Sequence, residues 1–362
     1  MKQHVLFIGN KFIFNKSLKE YILRKIEKQI DFISSVVYFQ ENDNSLFLYL
    51  ETEINSNSNL IIITTKNNFS TVGKLISTIT GDNQILKENI LIPSRSKIYK
   101  DCSYLLEYQN KLINVLHIDE MQEMPDILIK EEVLSEMIHI FEEEKESIHL
   151  ILNPIAQMYD VKLDIITLVE QWQQIVISSN KYGNISKFIV SAKQLLPNKL
   201  IESDNPVQYI IEILAKNSKK ITFAESCTGG LLTYYFTEQN GASQILDGSL
   251  ITYSNSLKEN WLGISSEIIN KNGAVSSKVV EEMSEGAISV SSADYSISVS
   301  GIAGEGGGSK EKPVGTVYIG VRSKENNIEK KLHFKGDRNY IQKQSCLEAI
   351  KMLLIIDKEM FF

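Results

Sequence analysis

Residues 224–236 read Ala224-Glu225-Ser226-Cys227-Thr228-Gly229-Gly230-Leu231-Leu232-Thr233-Tyr234-Tyr235-Phe236. Lys220 to Ala224, just before the polar run, reads as a strand, and Leu231 to Phe236, just after it, reads as a helix. A strand that turns through a tight polar loop into a helix exposes one side chain at its carboxyl end. It also aims the N–H groups of the first helical turn at whatever sits there. Such an end stabilises an anion, either a phosphate or a developing oxyanion. Upstream, Tyr209, Ile210, Ile213 and Leu214 are spaced for an amphipathic helix.

Ser226 is the natural nucleophile of this loop, and a hydroxyl needs a base. The only histidine in this part of the chain is His333, in the alternating stretch Lys331-Leu332-His333-Phe334, where a strand-surface position is expected. A Ser-His-Asp triad is therefore not expected. Lysine replaces histidine as a base when burial or neighbouring cations lower its pKa. Lys258 is the candidate, in Ile251-Thr252-Tyr253-Ser254-Asn255-Ser256-Leu257-Lys258. There a strand is expected to end at Tyr253, with Lys258 in the first turns of the next helix. Tyr253 would relay a proton or orient Ser226. The plainer reading makes Ser226 an N-cap and Lys258 a surface lysine. Cys227 is the rival nucleophile, because a helix N-terminus lowers a thiol pKa. Residue chemistry alone does not separate Ser226 from Cys227.

Further on, Ser300-Gly301-Ile302-Ala303-Gly304-Glu305-Gly306-Gly307-Gly308-Ser309-Lys310-Glu311-Lys312-Pro313-Val314-Gly315 separates two strand patterns, Tyr295 to Val299 and Thr316 to Val321. With five glycines in residues 301–308, this loop suits backbone N–H groups wrapped around a small anionic ligand. No helix pattern follows it, so it is neither a P-loop nor a dinucleotide fingerprint. Lys310, Lys312 and Arg338 are the nearby cations for a phosphate.

The rest of the chain sets bounds. Its 362 residues suggest two or three domains. A net charge of −7 argues against a nucleic-acid binder that works by phosphate neutralisation. Three scattered cysteines, Cys102, Cys227 and Cys346, make a disulfide framework or a structural zinc site unexpected and suit a reducing cytosol. The apolar runs are too short to span a bilayer. Fifteen of the 19 glycines lie after residue 215, and residues 1–214 carry the whole net charge. The chemistry is therefore expected in the C-terminal part. Residues 1–125 alternate strand signals (Val5 to Ile8, Phe32 to Phe39, Leu60 to Thr64, Val115 to Ile118) with helix signals (Leu18 to Ile30, Thr71 to Ile79), as a layered α/β domain does. A middle stretch, 126–205, opens with an expected helix over Glu131 to Glu146, with Glu142 to Glu146 as a solvated face. It holds one or two more elements over Val161 to Ile177 and ends at Pro197 and Pro206.

Residues 206–362 resemble the C-terminal domain of the CinA family, the nicotinamide-nucleotide amidase. The resemblance rests on ordered segments: Ala224 to Gly230; Thr252-Tyr253-Ser254-Asn255 with Lys258; Gly273-Ala274-Val275-Ser276; Ser300 to Gly304; Lys312-Pro313-Val314-Gly315-Thr316-Val317; and Gly336-Asp337-Arg338. It departs at Glu305-Gly306, where the family has Pro-Asp or Pro-Thr. The resemblance implies an α/β chain whose C-terminal three-layer α/β/α domain has a mixed sheet. It implies hydrolysis of the carboxamide of nicotinamide mononucleotide to nicotinate mononucleotide and ammonia, in pyridine nucleotide salvage, without metal or cofactor. Carried over by motif, Ser226 is the nucleophile, Lys258 the base and Tyr253 an assistant. The matching substrate positions are Cys227, Thr228, Gly229, Gly230, Asn255, Gly301, Gly304, Lys312 and Arg338.

Residues 1–125 resemble a degenerate MoaB/MogA-like molybdopterin-binding domain. Thr64 to Thr71 stands where that family has a glycine loop and paired acids, and His117 to Pro125 stands where it has a Pro-Gly-Pro-Pro turn. The implied remainder is a retained fold that serves dimerisation, in a cytoplasmic homodimer with no direct nucleic-acid or membrane partner. Two other readings stand beside the amidase. One is a non-catalytic interaction protein linked to competence or DNA damage. The other is a bifunctional enzyme that keeps ADP-ribose pyrophosphatase activity in its N-terminal domain.

Overall fold

The computed structural model describes residues 2–30, 32–87, 90–100, 102–130, 135–179, 182–304 and 306–362. The chain divides into two compact units, 1–134 and 135–362.

The first unit is built on a six-stranded sheet in the order Ile33–Phe39, Lys2–Ile8, Ser58–Thr64, Lys111–His117, Ser103–Tyr108, Ser96–Lys100. The first four strands are parallel, and the last two pairings are antiparallel. Ser58–Thr64 is buried along its whole length, as a central parallel strand must be when helices cover both faces. Its Leu60 and Ile62 pack with Phe69 and Ile76 of one helix, and its Ile61 and Ile63 pack with Ile22 and Ile26 of another. The strand-helix alternation expected here is present. Thr64 to Thr71, however, forms no extended loop. The strand ends at Thr64 and the helix Lys66–Thr80 starts at once, with the Thr65 hydroxyl accepting from the Asn68 N–H at 3.3 Å.

The second unit opens with a four-stranded antiparallel sheet, Val161–Val169, Trp172–Ser179, Ser135–Phe141, Leu200–Glu202, packed against the helices Lys145–Met158 and Ile185–Leu195. This corrects the helix expected over Glu131 to Glu146. Residues 131–134 lie outside the described residues, 135–141 form a strand, and the helix begins at Lys145. Ile138 and Ile140 alternate into the core, and that period of two outweighs the high charge around them. Glu142 and Glu143 precede the helix and pair with Lys358 and Lys199.

This small sheet shares a core with the C-terminal fold. Phe141, Val169, Trp172 and Ile201 pack in one cluster with Ile210, Phe223 and Leu353. A buried ion pair joins Lys351 to Glu348 at 2.9 Å, and the Lys351 ammonium also donates to the Glu170 carbonyl at 2.5 Å.

The C-terminal sheet has the order Leu246–Ile251, Ile221–Glu225, Tyr295–Gly301, Thr316–Arg322, Asn327–His333, parallel over the first three strands and antiparallel thereafter. On one face, Phe223, Ile297 and Val299 meet the helices Pro206–Lys216, Leu231–Thr237 and Arg338–Ile356. On the other, Ala224 meets Asn255–Leu262, Ser266–Asn272 and Ser277–Ser291. This is the expected three-layer α/β/α arrangement with a mixed sheet.

The second face is lined by hydroxyls. Ser296, Ser298 and Ser300 are buried, and they donate to the carbonyls of Ser284, Val280 and Ala274. Small side chains let helix 277–291 lie close to the sheet. The same helix crosses helix 255–262 at Gly286, where a Cβ would stand 2.2 Å from the Leu262 carbonyl oxygen. Gly286→Ala is expected to destabilise the protein by about 1–3 kcal/mol through overpacking, read as a lower thermal unfolding midpoint. An unchanged midpoint would show that the two helices separate freely there.

Candidate active site

The strand Ile221–Glu225 lies between Leu246–Ile251 and Tyr295–Gly301. The connection to the first neighbour runs through helix 231–237 on one face, and the connection on to the second runs through helices 255–291 on the other. The crevice outside the carboxyl end of such a strand is where open α/β sheets hold their ligands. Ser226 is the residue delivered there. Its N–H donates to the Val299 carbonyl at 2.9 Å, and the Thr252 N–H donates to the Glu225 carbonyl at 2.8 Å. The loop closes through Gly229 and Gly230, at φ 61° and 98°, a left-handed region costly to residues with a Cβ.

Lys258 reaches Ser226 from the neighbouring crossover. Ser254 caps helix 255–262 by accepting from the Leu257 N–H at 3.2 Å. Lys258 lies one turn before Leu262 on the buried face of that helix and is 1% exposed. Its ammonium nitrogen is 3.1 Å from Ser226 Oγ and 2.7 Å from the Thr252 carbonyl oxygen. Among the described residues no carboxylate pairs with it. Desolvation pushes its pKa down from 10.5 to about 8, because burial penalises the charged form. The amine thus loses its proton far more readily than a free lysine, and a minor fraction of it is neutral near physiological pH.

Cys227 faces the other way. Its side chain is 5% exposed in the apolar core, and burial pushes its thiol up to about 12. The thiolate expected from the helix N-terminus does not form, because desolvation outweighs the helix end. The loop is clamped from that side by Gln342, whose amide donates to the Cys227 carbonyl at 2.6 Å. Gly301 packs against the same residue: a Cβ there would stand 3.1 Å from Cys227 Sγ and 2.8 Å from Val317.

The N–H groups of the first helical turn are already taken. Glu225, fully buried, accepts from the N–H groups of Gly230 at 3.0 Å, Leu232 at 3.1 Å and Thr233 at 2.8 Å, and from the Thr233 hydroxyl at 2.5 Å. This corrects the expectation that the helix end receives the ligand: the protein supplies its own anion there. The Gly229 N–H donates to the Ser226 carbonyl at 3.2 Å. The N–H groups of Cys227 and Thr228 donate to no backbone acceptor among the described residues. Thr228 Oγ1 and Thr252 Oγ1 are buried beside the pair without a hydrogen-bond partner. Glu225, Thr252 and Gln342 escaped the reading for chemistry. The one sequence signal was an acid a few residues before a helix start, the ordinary mark of a helix N-terminus.

The remaining positions divide. Tyr253 is 59% exposed, and its hydroxyl accepts from Arg338 Nη2 at 2.9 Å rather than meeting Ser226. Arg338 lies against Gly304, where a Cβ would stand 2.5 Å from its Nη1. Tyr253, Gly304 and Arg338 therefore form one group. Asn255 is exposed at the first turn of helix 255–262. Lys312 is drawn elsewhere: its ammonium donates to the carbonyls of Asn272 at 3.0 Å and Val275 at 2.7 Å, the last residue of helix 266–272 and the turn after it. Lys310 is exposed, His333 is exposed on its strand, and Glu305 lies outside the described residues. Among the described residues no group of three or more His, Cys, Asp or Glu is placed to hold a metal ion, and no helix is long and apolar enough to cross a membrane.

Residues 204–356 match the family model of the CinA C-terminal domain. They belong to that family. A CinA-like protein of Fervidobacterium nodosum is 46% identical over 144 residues, which cover 40% of this chain and 35% of that protein. A CinA-like protein of Prochlorococcus marinus is 43% identical over 171 residues, covering 45% and 40% respectively. The match therefore spans well under half the length of these curated relatives. Among solved structures, the competence/damage inducible protein CihA from Agrobacterium tumefaciens is 34% identical, with 42% of this chain and 93% of that chain covered at a TM-score of 0.41. Ser226, Lys258, Tyr253 and Arg338 all fall within the matched CinA span.

Proposed function

We propose that the CinA C-terminal domain of this chain is a serine amidohydrolase that converts nicotinamide mononucleotide and water into nicotinate mononucleotide and ammonia. The observation that carries the reading is the buried Lys258 amine 3.1 Å from Ser226 Oγ. A lysine held without a carboxylate, at a depressed pKa, suits a base better than a structural cation.

Neutral Lys258 takes the Ser226 proton as Oγ bonds to the carboxamide carbon. The oxyanion forms against the N–H groups of Cys227 and Thr228, the positions just after the nucleophile. The C–N bond then breaks, and the Lys258 ammonium returns the proton to the departing ammonia. Water attacks the resulting ester with Lys258 again as base. The C–Oγ bond breaks, Ser226 is regenerated, and the carboxylate leaves. Arg338 is the exposed cation for the phosphate. Lys312, already bonded to two carbonyls, is assigned the support of the 272–275 turn.

Ammonia release from nicotinamide mononucleotide by the full-length protein tests this. Because Lys258 must be neutral, kcat/KM is expected to rise with pH through a midpoint near 8. Lys258→Arg, always charged, is expected to lose that limb with the activity. Folding follows the same sign. The unfolded chain keeps this proton up to about 10.4, so between about 8 and that value the unfolded state binds more protons and stability rises with pH. No ammonia from a folded sample at any pH would overturn the proposal. Residues 1–134 are read as a layered α/β unit without the family's glycine loop, and we assign them no ligand.

A further inference from the structure

The bond between Arg338 and Tyr253 leaves the proposed machinery incomplete. The phenol that would assist Ser226 is tied at 2.9 Å to a guanidinium nitrogen instead of to the nucleophile. The guanidinium lies close to Gly304, where a Cβ would stand 2.5 Å from Arg338 Nη1. Among the described residues no carboxylate pairs with Arg338, and the neighbouring Asp337 is occupied in capping its helix, accepting from the Tyr340 N–H at 2.8 Å. A guanidinium with five donors, bonded to one neutral phenol, has a far stronger partner in a phosphate. That group takes two parallel charge-assisted bonds, each roughly twice as strong as a neutral one. Tyr253 is also the residue after Thr252, whose carbonyl holds the Lys258 ammonium at 2.7 Å. Its ring is therefore carried next to the residue whose carbonyl holds the base.

We propose that a phosphate on the substrate draws Arg338 off Tyr253 and so frees the phenol to turn onto the Ser226–Lys258 pair. This rests on the amidase reading of the site. Phosphate recognition then acts on the chemical step as well as on binding, as remote binding energy does when it completes a catalytic group. The enzyme favours a nucleotide over the corresponding nucleoside in kcat, not only in KM.

The test separates the phosphate from the reacting half. Turnover of nicotinamide riboside by the full-length protein is measured with and without phosphite dianion. Phosphite is expected to raise kcat/KM on the riboside by on the order of tenfold or more, and the rise is expected to vanish in Arg338→Ala and in Tyr253→Phe. A second readout needs no turnover. In protein labelled with fluorotyrosine, the Tyr253 resonance, identified by its loss in Tyr253→Phe, is expected to move on adding phosphite and to stay still in Arg338→Ala. A moving resonance in a protein that does not hydrolyse the mononucleotide would sink the amidase reading and leave the switch standing. Hydrolysis of the mononucleotide with no phosphite activation and a still resonance would overturn the switch alone. So would an Arg338→Ala variant whose KM for the mononucleotide rises while kcat holds.

Discussion

Ser226→Ala is expected to abolish amide turnover, by about 10³-fold or more, while the thermal unfolding midpoint stays close to that of the parent. The hydroxyl removed is small, and its hydrogen-bond partner in the structure is the Lys258 amine, which keeps the Thr252 carbonyl. Cys227→Ala is expected to do the reverse. Its sulfur lies in the apolar core at 5% exposure, with Gly301 against it. Losing that atom leaves a cavity and costs about 1–2 kcal/mol of stability, while most turnover at saturating substrate survives. The paired measurement is ammonia release and thermal melting on the two variants and the parent. Full activity in Ser226→Ala with none in a folded Cys227→Ala would transfer the nucleophile to the thiol.

The second large effect belongs to Glu225. Removing its carboxylate in Glu225→Ala strips three backbone N–H groups and one hydroxyl of their acceptor inside a buried turn. Each orphaned donor carries a desolvation penalty, and the sum is expected to reach roughly 3–5 kcal/mol. That is a large part of the stability of a typical domain. The damage extends through Thr233, whose hydroxyl lies 2.7 Å from Ser249 Oγ, and it frees the loop that carries Ser226. Glu225→Gln separates charge from shape. It keeps one oxygen acceptor but turns an NH₂ group toward N–H donors, so an intermediate loss of about 1–3 kcal/mol is expected. Chemical denaturation of all three proteins, with activity measured on the folded fraction, checks the order. A Glu225→Gln variant as stable and as active as the parent would mean that the carboxylate does not hold this turn.

The elements of the C-terminal fold were readable from local pattern. Apolar spacing marked helix 206–216 and strand 221–225, and Gly229 and Gly230 marked the turn between strand and helix. The charge density of residues 131–146 suggests a helix, but the alternation of Ile138 and Ile140 makes 135–141 a strand. Ser296, Ser298 and Ser300 show what a single element does not reveal. They alternate with Ile297 and Val299, and their hydroxyls are buried, donating to the carbonyls of Ser284 and Val280 in helix 277–291 and of Ala274 in the turn before it. Polarity reports exposure only when no buried partner exists, and the partner lies on a different element.

By itself, then, the sequence determined the strand, the turn and the helix around Ser226, the glycine loop after residue 300, and a short roster of groups able to do acyl chemistry. These depend on dihedral preference and on the period of a single element, both local properties. The tertiary structure alone decided how that roster is used. Sheet order and crossovers set Lys258 over Ser226 from 32 residues away, turned Cys227 into the core, and filled the helix end with Glu225. They also engaged Lys312 with two carbonyls and left Arg338 holding Tyr253. The charge and reactivity of each group depend on desolvation and on its partner, and both are fixed only when distant parts of the chain pack together.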